Sequence, residues 1–201
     1  MKKEKRGKDN QNTKLEIPSI EQLEAELGRE KYRWRFRRVM RSTVYALVTV
    51  AAVAVLVATL WVPVLQISGN SMTPTLTGGE VVVSLKGTGF QPGDIVAFYY
   101  DNKILVKRVI AGPGDWVDIS EDGTVYVNEQ ELYEPYLVEK ALGDCNIELP
   151  YQVPESKIFV MGDHRSVSVD SRNSALGCVA DDQVVGKLIF RVWPFPVFGP
   201  V

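Results

Sequence analysis

The sequence predicts a mainly β protein, an antiparallel sheet or barrel-like domain standing behind one N-terminal membrane-spanning helix. Three observations carry this expectation. No charged residue occurs from Ser42 to Gly79, and Thr43 to Val62 is a run of mostly Val, Ala and Leu. Beyond Pro63 the pattern changes to short segments of alternating apolar residues separated by turn-forming clusters. The charge is also divided. Up to Arg41 there are 13 Lys and Arg against 7 Asp and Glu, whereas the remainder holds 10 against 18.

Residues 1–17 are charged and polar, with too little to bury, and are expected to be disordered. Ser19 is a good helix N-cap, Gln22 completes a capping box, and Ile20, Leu23 and Leu27 share one face, so a short amphipathic helix should follow. It runs into Arg29, Lys31, Arg33, Arg35, Arg37, Arg38 and Arg41. The apolar run after Ser42 would reach about 30 Å as a helix, enough to cross a bilayer. The basic cluster before it keeps the N-terminus in the cytoplasm. Trp61 stands where an interfacial aromatic belongs, and no convincing small-x-small cleavage site follows the apolar run before Leu65. The segment is therefore expected to be an uncleaved, single-pass cell-membrane anchor, not a removed leader. Three regions result: a cytoplasmic tail and basic helix (1–41), the anchor (42–63), and an extracytoplasmic β-rich domain (64–201).

Within that domain, strands are predicted at 80–85, 95–100, 104–110, 116–119, 124–128, 157–161 and 184–193. Asp101-Asn102 should close a hairpin, while Pro92-Gly93-Asp94 and Gly112-Pro113-Gly114-Asp115 make turns. Short strands at this spacing point to antiparallel sheets and not to a parallel α/β fold. Residues 129–156 carry the weakest pattern and read as a loop excursion. The aromatic C-terminal stretch Phe190 to Phe198 reads either as core closure by Trp193 and Phe195 or as a membrane-facing patch of Phe195 or Phe198 with Trp61.

An acidic main domain argues against nucleic acid as a partner. One histidine, two cysteines and no C-x-x-C make a metal site improbable, and Gly112-x-Gly114 is too short for a nucleotide loop, so no cofactor is expected. Cys145 and Cys178 lie in the outer compartment and could pair, which would stabilise by about 3–4 kcal/mol on a chain-entropy model.

For chemistry, Ser71 in the turn Ser68-Gly69-Asn70-Ser71-Met72-Thr73-Pro74 needs a base. Lys107, alone in the apolar pattern Ile104-Leu105-Val106-Lys107-Arg108-Val109-Ile110, is a candidate, because burial disfavours the charged ammonium. His164 keeps a Ser-His-Asp triad open, and Cys178 with His164 and an arginine keeps a sortase-like transpeptidase open. Asp163 and Asp170 each stand close to an arginine, Arg165 and Arg172, and are expected to form ion pairs that pin one loop.

Four blocks in order then carry a resemblance: Ser68 to Leu76, Gly93-Asp-Ile-Val96, Lys107 to Asp115, and Gly162 to Arg172. With the apolar anchor, they are similar to the bacterial type I signal peptidases (leader peptidases) of the compact single-anchor kind found in Gram-positive bacteria. The resemblance implies a largely β catalytic domain of two antiparallel sheet regions, removal of signal peptides from translocated preproteins, and action beside the lipid bilayer as a monomer. Residue by residue, it implies Ser71 as nucleophile, Lys107 as general base, Ser168 as the hydroxyl that orients the lysine amine, and Asp163, Arg165, Asp170 and Arg172 as a structural network. Leu65 and Ile67 match pocket-lining positions, and Met72, Leu105 and Val106 are further substrate-binding candidates. Two departures stand out. His164 replaces the usual asparagine. Gly69 occupies the position that supplies an oxyanion-donating hydroxyl in Gram-negative members, leaving the Ser71 backbone N–H as donor, with Ser68 a further option. A non-catalytic, membrane-anchored assembly factor is the competing reading; loss of Ser71 or Lys107 would have marked it.

Overall fold

The computed structural model describes residues 18–87 and 89–201, so the tail expected to be disordered lies outside the described residues, as does the side chain of Trp61. The chain divides into two units at Ala54.

Among the described residues there is one α-helix, α1, which spans Ile20–Trp61. Its N-terminus is capped as its sequence dictates: the Gln22 N–H donates to Ser19 Oγ at 3.3 Å, and the Ser19 N–H donates to Gln22 Oε1 at 3.1 Å. The short basic helix and the apolar span are thus one continuous element. Between Ser19 and Trp61 there is no proline and Gly28 is the one glycine, and arginine, which fills the junction, is a good helix former. The helix is long and apolar enough to cross a membrane.

Twelve strands follow: β1 (Val64–Gln66), β2 (Val81–Leu85), β3 (Ile95–Tyr100), β4 (Lys103–Ala111), β5 (Trp116–Ile119), β6 (Val125–Val127), β7 (Gln130–Glu131), β8 (Tyr151–Gln152), β9 (Lys157–Met161), β10 (Val179–Ala180), β11 (Val184–Trp193) and β12 (Gly199–Pro200). The main sheet has the order β1-β2-β11-β3-β4-β9-β10, with β12 also on β11, and a second sheet runs β7-β6-β5-β8. Every pairing is antiparallel. The β3–β4 hairpin turns on Asp101 and Asn102, both at positive φ (43° and 63°), as a two-residue turn between right-twisted strands requires.

β3 is buried on both faces. Ile95 and Ala97 enter one core with Ile67, Met72, Leu76, Val82 and Leu188, while Val96 and Phe98 enter another with Val109, Ile158 and Val160. This explains its continuous apolar run. A third core joins the ends of β4 and β9 to the second sheet through Ile110, Val117, Val125 and Phe159.

Three expectations are corrected. Residues 129–156 are not an excursion: β7 and β8 flank the second sheet, and Leu132, Leu142, Ile147 and Leu149 pack on the third core. Their apolar residues are irregularly spaced because the segment wraps a core without running along a sheet. Cys145 and Cys178 are free thiols. Cys178 packs against that same core, where burial raises its thiol pKa. The C-terminal aromatics do not close the core: Phe195 is 72% exposed, Phe198 57% and Trp193 50%. Trp193 is the last residue of β11, and none of the three residues of the 3-10 turn that follows, Phe195–Val197, is buried.

Candidate active site

The turn after β1 and the middle of β4 meet at one place. Ser71 sits in the turn at 69–76, held by the Thr73 N–H donating to Asn70 O (3.1 Å) and the Leu76 N–H to Met72 O (2.9 Å). Gly69 starts the turn at φ +84°, a conformation that side-chain-bearing residues rarely adopt. Met72 and Leu76, 2% and 0% exposed, drive the turn into the core and leave Ser71 at its rim.

β4 supplies the partner. Lys107 lies opposite Val96 and Arg108 opposite Ile95, and successive side chains of a strand point to opposite faces. Lys107 reaches Ser71, its Nζ 2.8 Å from Oγ. It is only 3% exposed. Burial holds its pKa below the ordinary 10.5; the Asp170 and Asp163 carboxylates oppose this shift and the Arg172 guanidinium assists it. A neutral amine here can accept a proton from the hydroxyl beside it.

Arg108 turns the other way. Its Nε and Nη2 donate to Asp163 Oδ1 (2.9 Å) and Oδ2 (2.6 Å), a bidentate pair, and its guanidinium lies 3.9 Å over the Tyr136 ring. Thr75 Oγ1 also donates to Asp163, tying the far end of the Ser71 turn to the same carboxylate. Asp163 therefore pairs with Arg108 and not with its sequence neighbour Arg165. Arg165 instead forms a fully buried pair with Glu134, and the Tyr136 hydroxyl donates to that carboxylate at 2.7 Å. Asp170 and Arg172 do pair, through Nε (2.8 Å) and Nη2 (2.9 Å), while Arg172 Nη1 donates to the carbonyl of Leu142 at 2.6 Å. Arg108, Thr75, Glu134 and Tyr136 escaped sequence reasoning. Only Arg108 left a signal, as a second cation in an apolar strand that would need a buried anion.

Ser168 is buried close to this site: a Cβ on Gly162 would stand 2.2 Å from its Oγ and 2.5 Å from Ser71 O, so position 162 has room only for glycine. Its hydroxyl makes no hydrogen bond among the described residues, so the expected bond to the Lys107 amine is not formed. His164 lies against the backbone of the turn, its Nδ1 3.3 Å from Asn70 O, while Lys107 occupies the Ser71 hydroxyl. The geometry therefore disfavours the histidine triad. Cys178, packed on the third core, lends nothing to a sortase-like arrangement.

An open cleft of about 300 Å³ leads up to Ser71 and Lys107. Leu65, Ile67, Met72, Leu105 and Val106 all line it, with Ser68 and Gly69 beside them. Ile67 and Met72 are also core residues, so the cleft floor is the outer surface of the core.

Comparison with known proteins gives the family. The family model described as "Signal peptidase, peptidase S26" matches residues 40–193. The chain belongs to the signal peptidase family, peptidase S26. Signal peptidase IB of Staphylococcus aureus (strain COL) is 41% identical over 152 residues, which cover 66% of this chain and 78% of that protein. Signal peptidase I of Bacillus licheniformis is 40% identical over 169 residues, covering 76% and 88% respectively. A crystal structure of a signal peptidase I from Enterococcus faecalis V583 matches with a TM-score of 0.41 and 31% identity, covering 50% of this chain and 97% of that one. As a member of the signal peptidase family, the chain is a serine peptidase, a hydrolase whose family activity is signal-peptide cleavage.

Proposed function

We propose that this signal peptidase cleaves preproteins through a Ser71/Lys107 dyad, held at the outer face of the cell membrane by α1 as a single-pass anchor with its N-terminus in the cytoplasm. The observation that carries the reading is the buried Lys107 amine lying 2.8 Å from Ser71 Oγ at the end of an apolar cleft.

Neutral Lys107 accepts the Ser71 proton as Oγ adds to the scissile carbonyl. The resulting oxyanion faces the Ser71 N–H. Collapse breaks the C–N bond, and the lysine ammonium gives its proton to the departing amine. Lys107 then takes a proton from water, whose oxygen attacks the acyl carbon. Ser71 leaves with the proton returned, and the free signal peptide carries the new carboxylate.

The substrate lies extended in the cleft. β1 is the terminal strand of its sheet, and β4 pairs with β9 only from Arg108 onward, so backbone groups of residues 64–66 and 104–107 are available for main-chain bonds. Leu65, Ile67, Met72, Leu105 and Val106 then form shallow apolar surfaces for small alternate side chains. Asp163, Arg165, Asp170 and Arg172 hold the β4 and 162–172 segments in register, and Ser168 rests beside the nucleophile. Acting alone as a monomer, the chain needs no metal or cofactor for these steps.

The test is cleavage of a model preprotein by the purified, detergent-solubilised protein. Ser71→Ala, Lys107→Ala and Lys107→Arg should each abolish processing while the far-ultraviolet spectrum is kept; arginine cannot serve, because it stays protonated. Appreciable cleavage by Lys107→Ala overturns the dyad.

A further inference from the structure

The proposed oxyanion donor, the Ser71 N–H, shares one rigid peptide plane with the Asn70 carbonyl. Gly69 brings no hydroxyl to assist it, so the orientation of that plane decides where the single donor points. The Asn70 oxygen has two neighbours able to hold it: the Thr73 N–H at 3.1 Å and His164 Nδ1 at 3.3 Å. A carbonyl oxygen can only accept, so Nδ1 must carry the proton. The His164 backbone N–H also donates to Ser71 O, at 3.0 Å. One residue therefore grips the peptide carbonyls on both sides of the nucleophile, the first with its side chain and the second with its main chain.

We propose that the His164 imidazole is a positioning residue for oxyanion stabilisation, acting through the Asn70–Ser71 peptide and resting on the reading of Ser71 as nucleophile. Its Nδ1–H fixes one end of the peptide dipole, and the N–H at the other end is thereby aimed at the cleft. A donor on the carbonyl also polarises the amide and strengthens the N–H as a donor, since chained hydrogen bonds reinforce one another. Both the neutral Nδ1–H tautomer and the imidazolium donate from Nδ1, so protonation of His164 preserves the contact. An asparagine amide at this position would also offer an N–H donor.

The experiment compares His164→Ala and His164→Asn with the full-length protein in detergent. It uses a model preprotein, a substrate-like peptide aldehyde that adds to Ser71 to give a tetrahedral adduct, and the corresponding uncleavable peptide amide. Only the side-chain bond is removed, because the main-chain bond to Ser71 O survives any substitution. We expect His164→Ala to lose about tenfold in kcat at unchanged KM, the scale of one net hydrogen bond. Its aldehyde affinity should fall in parallel and its amide affinity should stay, because the contact matters only where the oxyanion exists. His164→Asn should recover kcat to within about twofold of the parent, the loss of one hydrogen bond being avoided. Should the alanine variant unfold, His164→Leu fills the volume without a donor and supports the same comparison. An unchanged kcat in the donor-free variant, or a kcat loss without a matching loss of aldehyde affinity, or no recovery in His164→Asn, overturns the proposal. Ser71→Ala separates the two readings: if it still cleaves, the dyad itself is wrong; if it is inert while His164→Ala is fully active, only the role of His164 falls.

Discussion

At the residue scale, Lys107 is the costly side chain. An ammonium buried beside Ser71 loses hydration that Asp170 and Asp163 restore only in part, and the amine responds by releasing its proton more readily. Two consequences have definite signs. Activity needs the neutral amine, so kcat/KM should rise with pH through the lowered Lys107 pKa, giving an acid limb below 10.5 that persists in His164→Asn. A pH profile whose acid limb vanished in that variant would transfer the base to histidine. The stability effect runs in the same direction. The unfolded chain binds the lysine proton more tightly, so the cost of burying Lys107 is full below its folded pKa and fades as pH rises towards 10.5. Lys107→Met should therefore unfold at higher denaturant than the parent at neutral pH, and the gap should narrow with rising pH, as urea titrations at several pH values would show.

At the element scale, the segment between β7 and β8 connects the second sheet to the proposed active site. Glu134 neutralises Arg165 and accepts from Tyr136, whose ring lies under Arg108 on the strand that bears Lys107. The Leu142 carbonyl receives Arg172, and at Gly143 a Cβ would stand 2.5 Å from Arg165 O and 2.6 Å from Arg172 Nη1. An irregular segment is thus held by buried ionic contacts where a ladder is lacking. Burial also raises the Tyr136 phenol pKa, helped by the Glu134 charge, so this hydroxyl stays a donor across the working range. Removing one partner of a fully buried pair strands the other charge. Glu134→Ala should cost about 3–5 kcal/mol of stability in urea denaturation. A loss under ~1 kcal/mol, the scale of an exposed pair, would show that Arg165 finds solvent or another partner.

At the scale of the whole molecule, the exposed aromatics at the C-terminus bear on the proposed work beside lipid. Phe195 packs edge-on against Trp193 at 5.1 Å and Phe198 against Phe190 at 4.8 Å, which orders the rings while leaving large areas of Phe195 and Phe198 open. Clustered exposed aromatics of this kind are candidates for a contact with another apolar surface. A fragment of residues 64–201 should bind zwitterionic liposomes in flotation assays without α1, and Phe195→Ser with Phe198→Ser should reduce the bound fraction severalfold without changing its melting temperature. A parent fragment that ignores liposomes would show that these rings serve another contact.

Short apolar or alternating runs, turn chemistry and a long uncharged run are local properties, and they made β3, β5, β9, β11, the Asp101-Asn102 hairpin and the capped start of α1 legible directly in the sequence. The pairing of Ser71 with Lys107 was legible for a different reason: a serine nucleophile needs a base, and one lysine stood in an apolar strand. Which anion met which cation was decided only by tertiary structure. Asp163 stands two residues from Arg165 yet pairs with Arg108, because β4 and β9 lie side by side and carry Arg108 to the end of β9, where Asp163 begins the next loop. Glu134 reaches Arg165 across 31 residues of sequence for which no periodicity prepares a reader. The thiols, too, were settled by packing, since Cys178 lies against the third core and both cysteines are free. Local propensity acts within a few residues, whereas charge pairing is satisfied wherever the sheets bring opposite charges into a space without water. The strands could therefore be read one at a time, but the network beneath the candidate site could be read only after they had been packed together.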